Sequence, residues 1–210
     1  MYLIRPPKLY RWLFKDAVFR KNTEQKTIYL TFDDGPHPEA TPYVLSVLNT
    51  HGIKATFFVL GKNVKKHPEL FNQLKKEGHQ IGNHGMNHPN GWRTSTDDYI
   101  TDVMLGKAVT GSSLFRPPYG KLTLPQYNRL KETEEIVFWD VISGDFDQKI
   151  DASIVVKNVL NNVRDGSVIV MHDSKKAMSN ISDSMNEIIT SLKEKGYNFA
   201  VLETSDEPQY

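Results

Sequence analysis

An α/β fold with about seven parallel strands is what this sequence predicts, the sheet either closed into a barrel or wound open. Three observations predict it. Short apolar, β-branched runs alternate with longer amphipathic stretches along most of the chain. Glycines at Gly52, Gly78, Gly111 and Gly196 stop those longer stretches, as glycine does past a helix end. The unusual polar residues fall just after the short runs. In a (β/α) barrel the C-terminal ends of the strands share one face, so such residues converge from distant parts of the chain.

Residues 1–22 are basic and aromatic, with Arg5, Lys8, Arg11 and Lys15 among Tyr10, Trp12, Phe14 and Phe19. They have no continuous apolar core and no small-residue cleavage site, so no secretory signal is recognised and a cytoplasmic location is expected. The favoured reading is a short helix packed on the domain. The other is an interfacial segment in peripheral contact with the inner membrane face.

The first strand covers residues 27–32 and runs into Asp33, Asp34, Gly35 and Pro36, a turn. Thr41 and Pro42 fit an N-cap and first-turn proline for a helix ending near Gly52. A second strand covers 55–60. His67 and Pro68 open a helix that stops at Gly78. A third strand, 80–82, leads to His84 and His88. Thr96, Asp97 and Asp98 start a helix that ends at Gly111. Residues 114–116 form a very short strand cut off by Pro117 and Pro118. A helix over about 125–132 and a strand over 135–142 follow. Ser153 caps the next helix. A buried strand spans 167–171, an amphipathic helix 180–195 and a last strand 198–202. The expected organisation is an N-terminal extension over 1–25, one catalytic domain over 26–203 and a loose tail over 204–210.

Composition narrows the function. With 26 basic and 25 acidic residues the net charge is +1, which argues against a general nucleic-acid binder. There is no cysteine, so disulfides and thiolate metal sites are excluded and a metal must use His, Asp or Glu. No stretch is long enough to span a membrane.

The convergent residues suit a metal-assisted hydrolysis. His84 and His88 with a carboxylate make a sound set for Zn²⁺ or a similar divalent ion, with a position open for water. Neighbouring side chains diverge, so of Asp33 and Asp34 one can bind metal while the other handles a proton. Asp33 can take the proton of a water, with Arg116 paired to it. His172 can protonate the leaving group, with Asp145 orienting it, and a backbone N–H near Tyr119 can face an oxyanion. Trp92 can stack on a sugar ring or simply pack.

Five segments in order, Thr31 to Gly35, His84 to Pro89, Arg116 to Gly120, Trp139 to Asp145 and Val170 to Asp173, resemble the five motifs of the polysaccharide deacetylase family, carbohydrate esterase family four. The resemblance runs from about residue 26 to 202. It implies a distorted (β/α) barrel with its active site at the C-terminal strand ends, and metal-dependent removal of acetyl groups, N-acetyl above all, from a sugar or glycan. It makes Asp33 the base, Asp34, His84 and His88 the metal ligands, and Zn²⁺ the expected ion, with Co²⁺ or another divalent ion as alternatives. Arg116 would position Asp33, Tyr119 would offer its N–H to the oxyanion, Asp145 would tune the acid His172, and Val170 would line the acetyl pocket. Three positions depart from the family pattern: Gly85 where Ser or Thr is usual, Phe146 where Trp is usual, and Val170 where Leu is usual. Two other readings stand beside this one: an amidohydrolase acting on a small non-sugar C–N bond, and an inactive sugar-binding module.

Overall fold

The structure, a computed structural model, describes residues 3–203; the tail expected over 204–210 lies outside them, as do residues 1–2. At its centre β1 (Thr27–Asp33) pairs in parallel with β2 (Thr56–Val59) on one side and β7 (Val168–His172) on the other. The last four residues of β1 and all of β2 are buried, which is why these strands read as unbroken apolar runs. β3 (Gln80–Asn83) follows β2, β4 (Leu114–Phe115) follows β3, and β8 (Asn198–Ala200) pairs with the start of β1. The order β5-β4-β3-β2-β1-β7-β6 curls into a distorted (β/α) barrel, as expected.

The strand expected over 135–142 is instead two pieces on opposite edges, β5 (Glu135–Ile136) on β4 and β6 (Val141–Ile142) on β7. The physical reason is that this segment crosses the open seam of the barrel. Its backbone bonds go in turn to Phe115, to Val18 and to Val168. The N-terminal segment fills the seam: Val18 bridges Val137 in parallel and Arg20 bridges Ser167 antiparallel.

That segment packs on the domain through a short helix, α1 (Lys8–Leu13). Phe14 and Phe19 are buried against Tyr127, Leu130 and Phe138 in a second core cluster. Asp140, fully buried, accepts from Arg11 at 2.7 Å and from Arg164 at 2.7 and 2.9 Å, and Arg5 approaches it at 3.7 Å. The main core lies between the sheet and α2 (Ala40–His51), α7 (Ala152–Leu160) and α8 (Met178–Glu194).

Two caps differ from expectation. Thr41 lies inside α2, and the freed N–H groups of Glu39 and Ala40 donate to His37 Nδ1 at 3.3 Å each. At α7 the cap is Asp151, whose carboxylate accepts from Ile154 N at 3.1 Å, while Ser153 donates to that carboxylate. A helix not expected at all, α3 (Gly61–Lys66), follows β2 directly, before α4 (Pro68–Lys76). α5 (Thr96–Thr110) and α6 (Leu124–Leu130) lie where expected.

Candidate metal centre and active site

Asp33 ends β1 and lies level with His172 of β7 in the parallel register, so a carboxylate and an imidazole stand side by side at one rim. Asp34 follows with φ +79, in the left-handed region that Asp tolerates better than most residues. That twist sends consecutive carboxylates to different partners.

Asp33 turns to Arg116, which leaves β4. Arg116 Nη1 donates to Asp33 Oδ1 at 2.6 Å and to Thr31 Oγ1 at 2.7 Å, and Nη2 donates to the Phe138 carbonyl at 3.2 Å. The guanidinium lies 4.0 Å over the Phe58 ring and is fully buried. Burial disfavours its charge and lowers its pKa, and the Asp33 carboxylate opposes that.

Asp34 turns to the histidines. Its Oδ1 lies 3.2 Å from His88 Nε2 and 3.7 Å from His84 Nε2, and the three ligand atoms all lie within 4.8 Å of one another. His84 Nδ1 is 2.8 Å from the Arg116 carbonyl, which can only accept; Nδ1 therefore carries the proton and Nε2 faces Asp34 with its lone pair. Burial pushes the His84 pKa down to about 4, so the ring is neutral near pH 7. Asp34 Oδ1 is itself buried with no hydrogen-bond partner. Electron-pair donors turned toward one another around an orphaned carboxylate oxygen fit a divalent cation, and the absence of thiolate favours a metal that accepts nitrogen and oxygen.

On the other side, His172 is held at two points by Asp145, through its backbone N–H at 2.7 Å and through Nδ1 at 2.8 Å. The carboxylate only accepts, so Nδ1 donates and Nε2 is left toward the cleft. Burial alone would lower the His172 pKa; Asp145 first, then Asp34 and Asp33, outweigh it and raise it to about 9. The ring is therefore an imidazolium near pH 7.

Tyr119, Trp92 and Val170 line the same cleft, of about 860 Å³. Trp92 is 61% exposed there, with Nε1 donating to the Leu122 carbonyl at 3.4 Å. Val170 is buried on its strand. Tyr119 has φ +59 between Pro118 and Gly120. All ten residues singled out in the sequence thus border one space or support it from behind.

Sequence reasoning missed Asp102 and gave Asp173, at the end of the last motif, no role beyond a turn beside His172. Asp102 on α5 accepts from Met86 N at 2.8 Å, Asn87 N at 3.1 Å and Asn87 Nδ2 at 2.8 Å, bracing the loop between the ligand histidines. Gly85 has φ +80, and a Cβ there would lie 2.8 Å from Asp102 Oδ2, so the departure at Gly85 goes with this brace. Asp173, fully buried, accepts from Thr41 Oγ1, and a Cβ on Gly35 would sit 2.1 Å from its Oδ2. Burial pushes the Asp173 pKa up to about 8. The sequence signal for Asp102 was faint, an acidic residue at a helix position otherwise facing the core.

Comparison with known proteins gives the same picture. Residues 20–134 match the model of the polysaccharide deacetylase family. A peptidoglycan-N-acetylglucosamine deacetylase of Bacillus cereus is 35% identical over 92% of this chain and 73% of its own length. The peptidoglycan-N-acetylglucosamine deacetylase PgdA of Listeria monocytogenes is 37% identical over 87% of this chain, which spans 39% of that larger protein. A crystallised peptidoglycan N-acetylglucosamine deacetylase superposes with a TM-score of 0.84 at 35% identity, covering 92% of this chain and 94% of that one.

Proposed function

The chain belongs to the polysaccharide deacetylase family, and we infer from that premise that it is a metal-dependent hydrolase removing N-acetyl groups from a sugar of a peptidoglycan-like glycan. The observation that carries this is the pairing of an Asp34, His84 and His88 cation site with a carboxylate and an imidazolium set level beside it.

Asp34, His84 and His88 would hold the metal, with Zn²⁺ proposed because two imidazoles and one carboxylate are its preferred company. When bound, the ion supplies a Lewis acid for the acyl carbonyl and an acidified water. The residues of the chain handle the protons. Asp33 accepts the proton of the attacking water, its carboxylate kept in place by Arg116. His172 donates from Nε2 to the amide nitrogen as the C–N bond breaks, and Asp145 keeps its ring in the one orientation that allows this. Val170, Ile142 and Trp139 give the acetyl methyl an apolar wall, and the Tyr119 N–H is assigned to the oxyanion. Trp92 offers an exposed ring face to a neighbouring sugar.

Acetate release tests the proposal. The protein is stripped with chelator, restored with Zn²⁺ or Co²⁺, and offered N-acetylglucosamine oligomers, peptidoglycan fragments and small amides. Metal-restored acetate from a sugar substrate is expected. Cleavage of non-sugar amides alone would move the chain to the amidohydrolase reading, and sugar binding without turnover on any substrate would leave a binding module.

The N-terminal segment supports a second proposal, peripheral contact with an anionic membrane face. Leu3, Leu9 and Trp12 are 56%, 66% and 72% exposed on a segment firmly tied to the domain, with Lys8 and Lys15 exposed beside them. No helix of the described residues is long and apolar enough to cross a membrane. Co-sedimentation with phosphatidylglycerol vesicles, lost in Trp12→Ser, is expected. Fractionation that finds the protein exported would remove the proposed cytoplasmic side of this contact.

A further inference from the structure

Two aromatic–lysine pairs border the reacting centre, one on each side. Beside the metal site, the Tyr119 ring lies 4.3 Å from the His88 ring, and the Lys121 ammonium sits 5.8 Å from the Tyr119 ring and 5.1 Å from that of Trp92. Beside the acid, the Phe146 ring meets the His172 ring edge-on at 5.0 Å, and the Lys176 ammonium lies 5.5 Å from Phe146. An exposed ring suits the apolar face of a sugar. The ammonium next to it adds a charge that the hydrolysis does not use.

These charges stand unopposed. The lysines that form ion pairs among the described residues are Lys21, Lys107 and Lys131, none of which lines the cleft. A third lysine, Lys62, lines it, and no carboxylate does so except Asp33 and Asp34. Both of those are committed, Asp33 to Arg116 and Asp34 to the cation site. A chain with 26 basic and 25 acidic residues would give an ordinary stretch of surface both signs, yet the cleft mouth receives one. Like charges gathered against low-dielectric aromatic walls focus the field and concentrate ligands of opposite sign.

Resting on the deacetylase reading above, we propose that Lys121 and Lys176 bind anionic groups, carboxylate or phosphate, on the sugars that flank the N-acetylated one. The preferred substrate is then a glycan whose neighbouring sugars carry negative charge, not a neutral homopolymer. The departure at Phe146 belongs to this arrangement, since its ring is the shelf on which Lys176 rests while still bordering His172.

The test compares kcat/KM on three matched oligomers: neutral N-acetylglucosamine, the same backbone with carboxylate ethers on alternate sugars, and the same with phosphate esters. The zinc-loaded enzyme is expected to prefer a charged oligomer, to lose that preference as salt rises, and to reveal by its choice which anion the site takes. In the Lys121→Gln, Lys176→Gln double variant the charged-to-neutral ratio is expected to fall about fivefold, as two partly exposed charge contacts would allow. A ratio near one in the native enzyme, or one that the double variant leaves unmoved, overturns the inference while the deacetylase activity stands. Acetate from none of the three overturns the deacetylase reading and the inference with it.

Discussion

Asp33 and Asp34 are chain neighbours with separate tasks, and one backbone dihedral divides them. The positive φ of Asp34 turns its carboxylate to the histidines, while Asp33 keeps the strand direction toward Arg116. The division makes distinct expectations for the two kinds of substitution. Asp33→Asn keeps every cation ligand and should bind Zn²⁺ as the native protein does, with turnover lowered about 10²- to 10⁴-fold by loss of the base. His84→Ala removes a ligand whose tautomer is already set by the Arg116 carbonyl, and should lose Zn²⁺ as well as turnover. Metal titration beside acetate assays separates them; near-native turnover in Asp33→Asn would remove Asp33 from the role of base. His172 gives the pH expectation. It acts as an imidazolium with a pKa near 9, so kcat/KM should decline as pH rises through about 9. Because that value lies above the 6.5 of a free histidine, the same group stabilises the fold fully below pH 6.5 and ceases to do so as pH passes 9. A basic limb at pH 6 to 7 would contradict the stated effect of Asp145 on this ring.

At the scale of elements, the loop between the ligand histidines depends on a helix that touches no substrate. Asp102 of α5 holds three N–H groups of Met86 and Asn87. Supports of this kind are worth about 10- to 100-fold in metal affinity. Asp102→Ala should weaken Zn²⁺ binding by that order with the melting temperature of the metal-free protein moved far less, and calorimetric titration checks it. Gly85→Ser should weaken binding too, through strain at φ +80 and collision with Asp102, although Ser is what the family pattern places there. This is where the sequence was legible only in part. The strand runs and the residues at their C-terminal ends could be read because buried parallel strands are continuous apolar runs. The brace could not, since it joins residues fifteen and sixteen apart mainly through backbone N–H groups that carry no side-chain signal. Likewise 135–142 is mostly apolar, with Glu135 and Asp140 as its charged members, and its split into β5 and β6 reflects partners on two edges of the sheet, a tertiary fact that local pattern does not contain. α3 was hidden because it is a six-residue polar helix with no capping side chain.

For the whole molecule, the question is whether residues 1–22 are an appendage or part of the barrel. Their pattern reads as an extension, basic and aromatic with no clean apolar face. The fold gives the described part, residues 3–22, the seam between β5 and β6, which no strand of the catalytic core closes. Phe14 and Phe19 fill the cluster around Phe138, and Arg11 and Arg5 supply counter-charge to Asp140. Tyr10 donates to the Gly120 carbonyl next to Tyr119, tying the segment to the cleft rim. Removing residues 1–22 would expose the faces that two buried phenylalanines cover, at about 1.5–3 kcal/mol each, and would strip two arginines from a buried carboxylate. Against a total stability of about 5–15 kcal/mol, that is a large fraction. The truncated protein should therefore express poorly or melt far below the full chain, and any folded part should show reduced kcat/KM because the Tyr119 rim has lost its tie. Asp140→Asn isolates the electrostatic share: it keeps the shape, removes the charge that Arg5, Arg11 and Arg164 face, and should free the segment to proteolysis between Lys8 and Lys21 before the barrel itself is cut. If the truncated protein matched the full chain in melting temperature and turnover, the segment would be an appendage and the seam would need another closure.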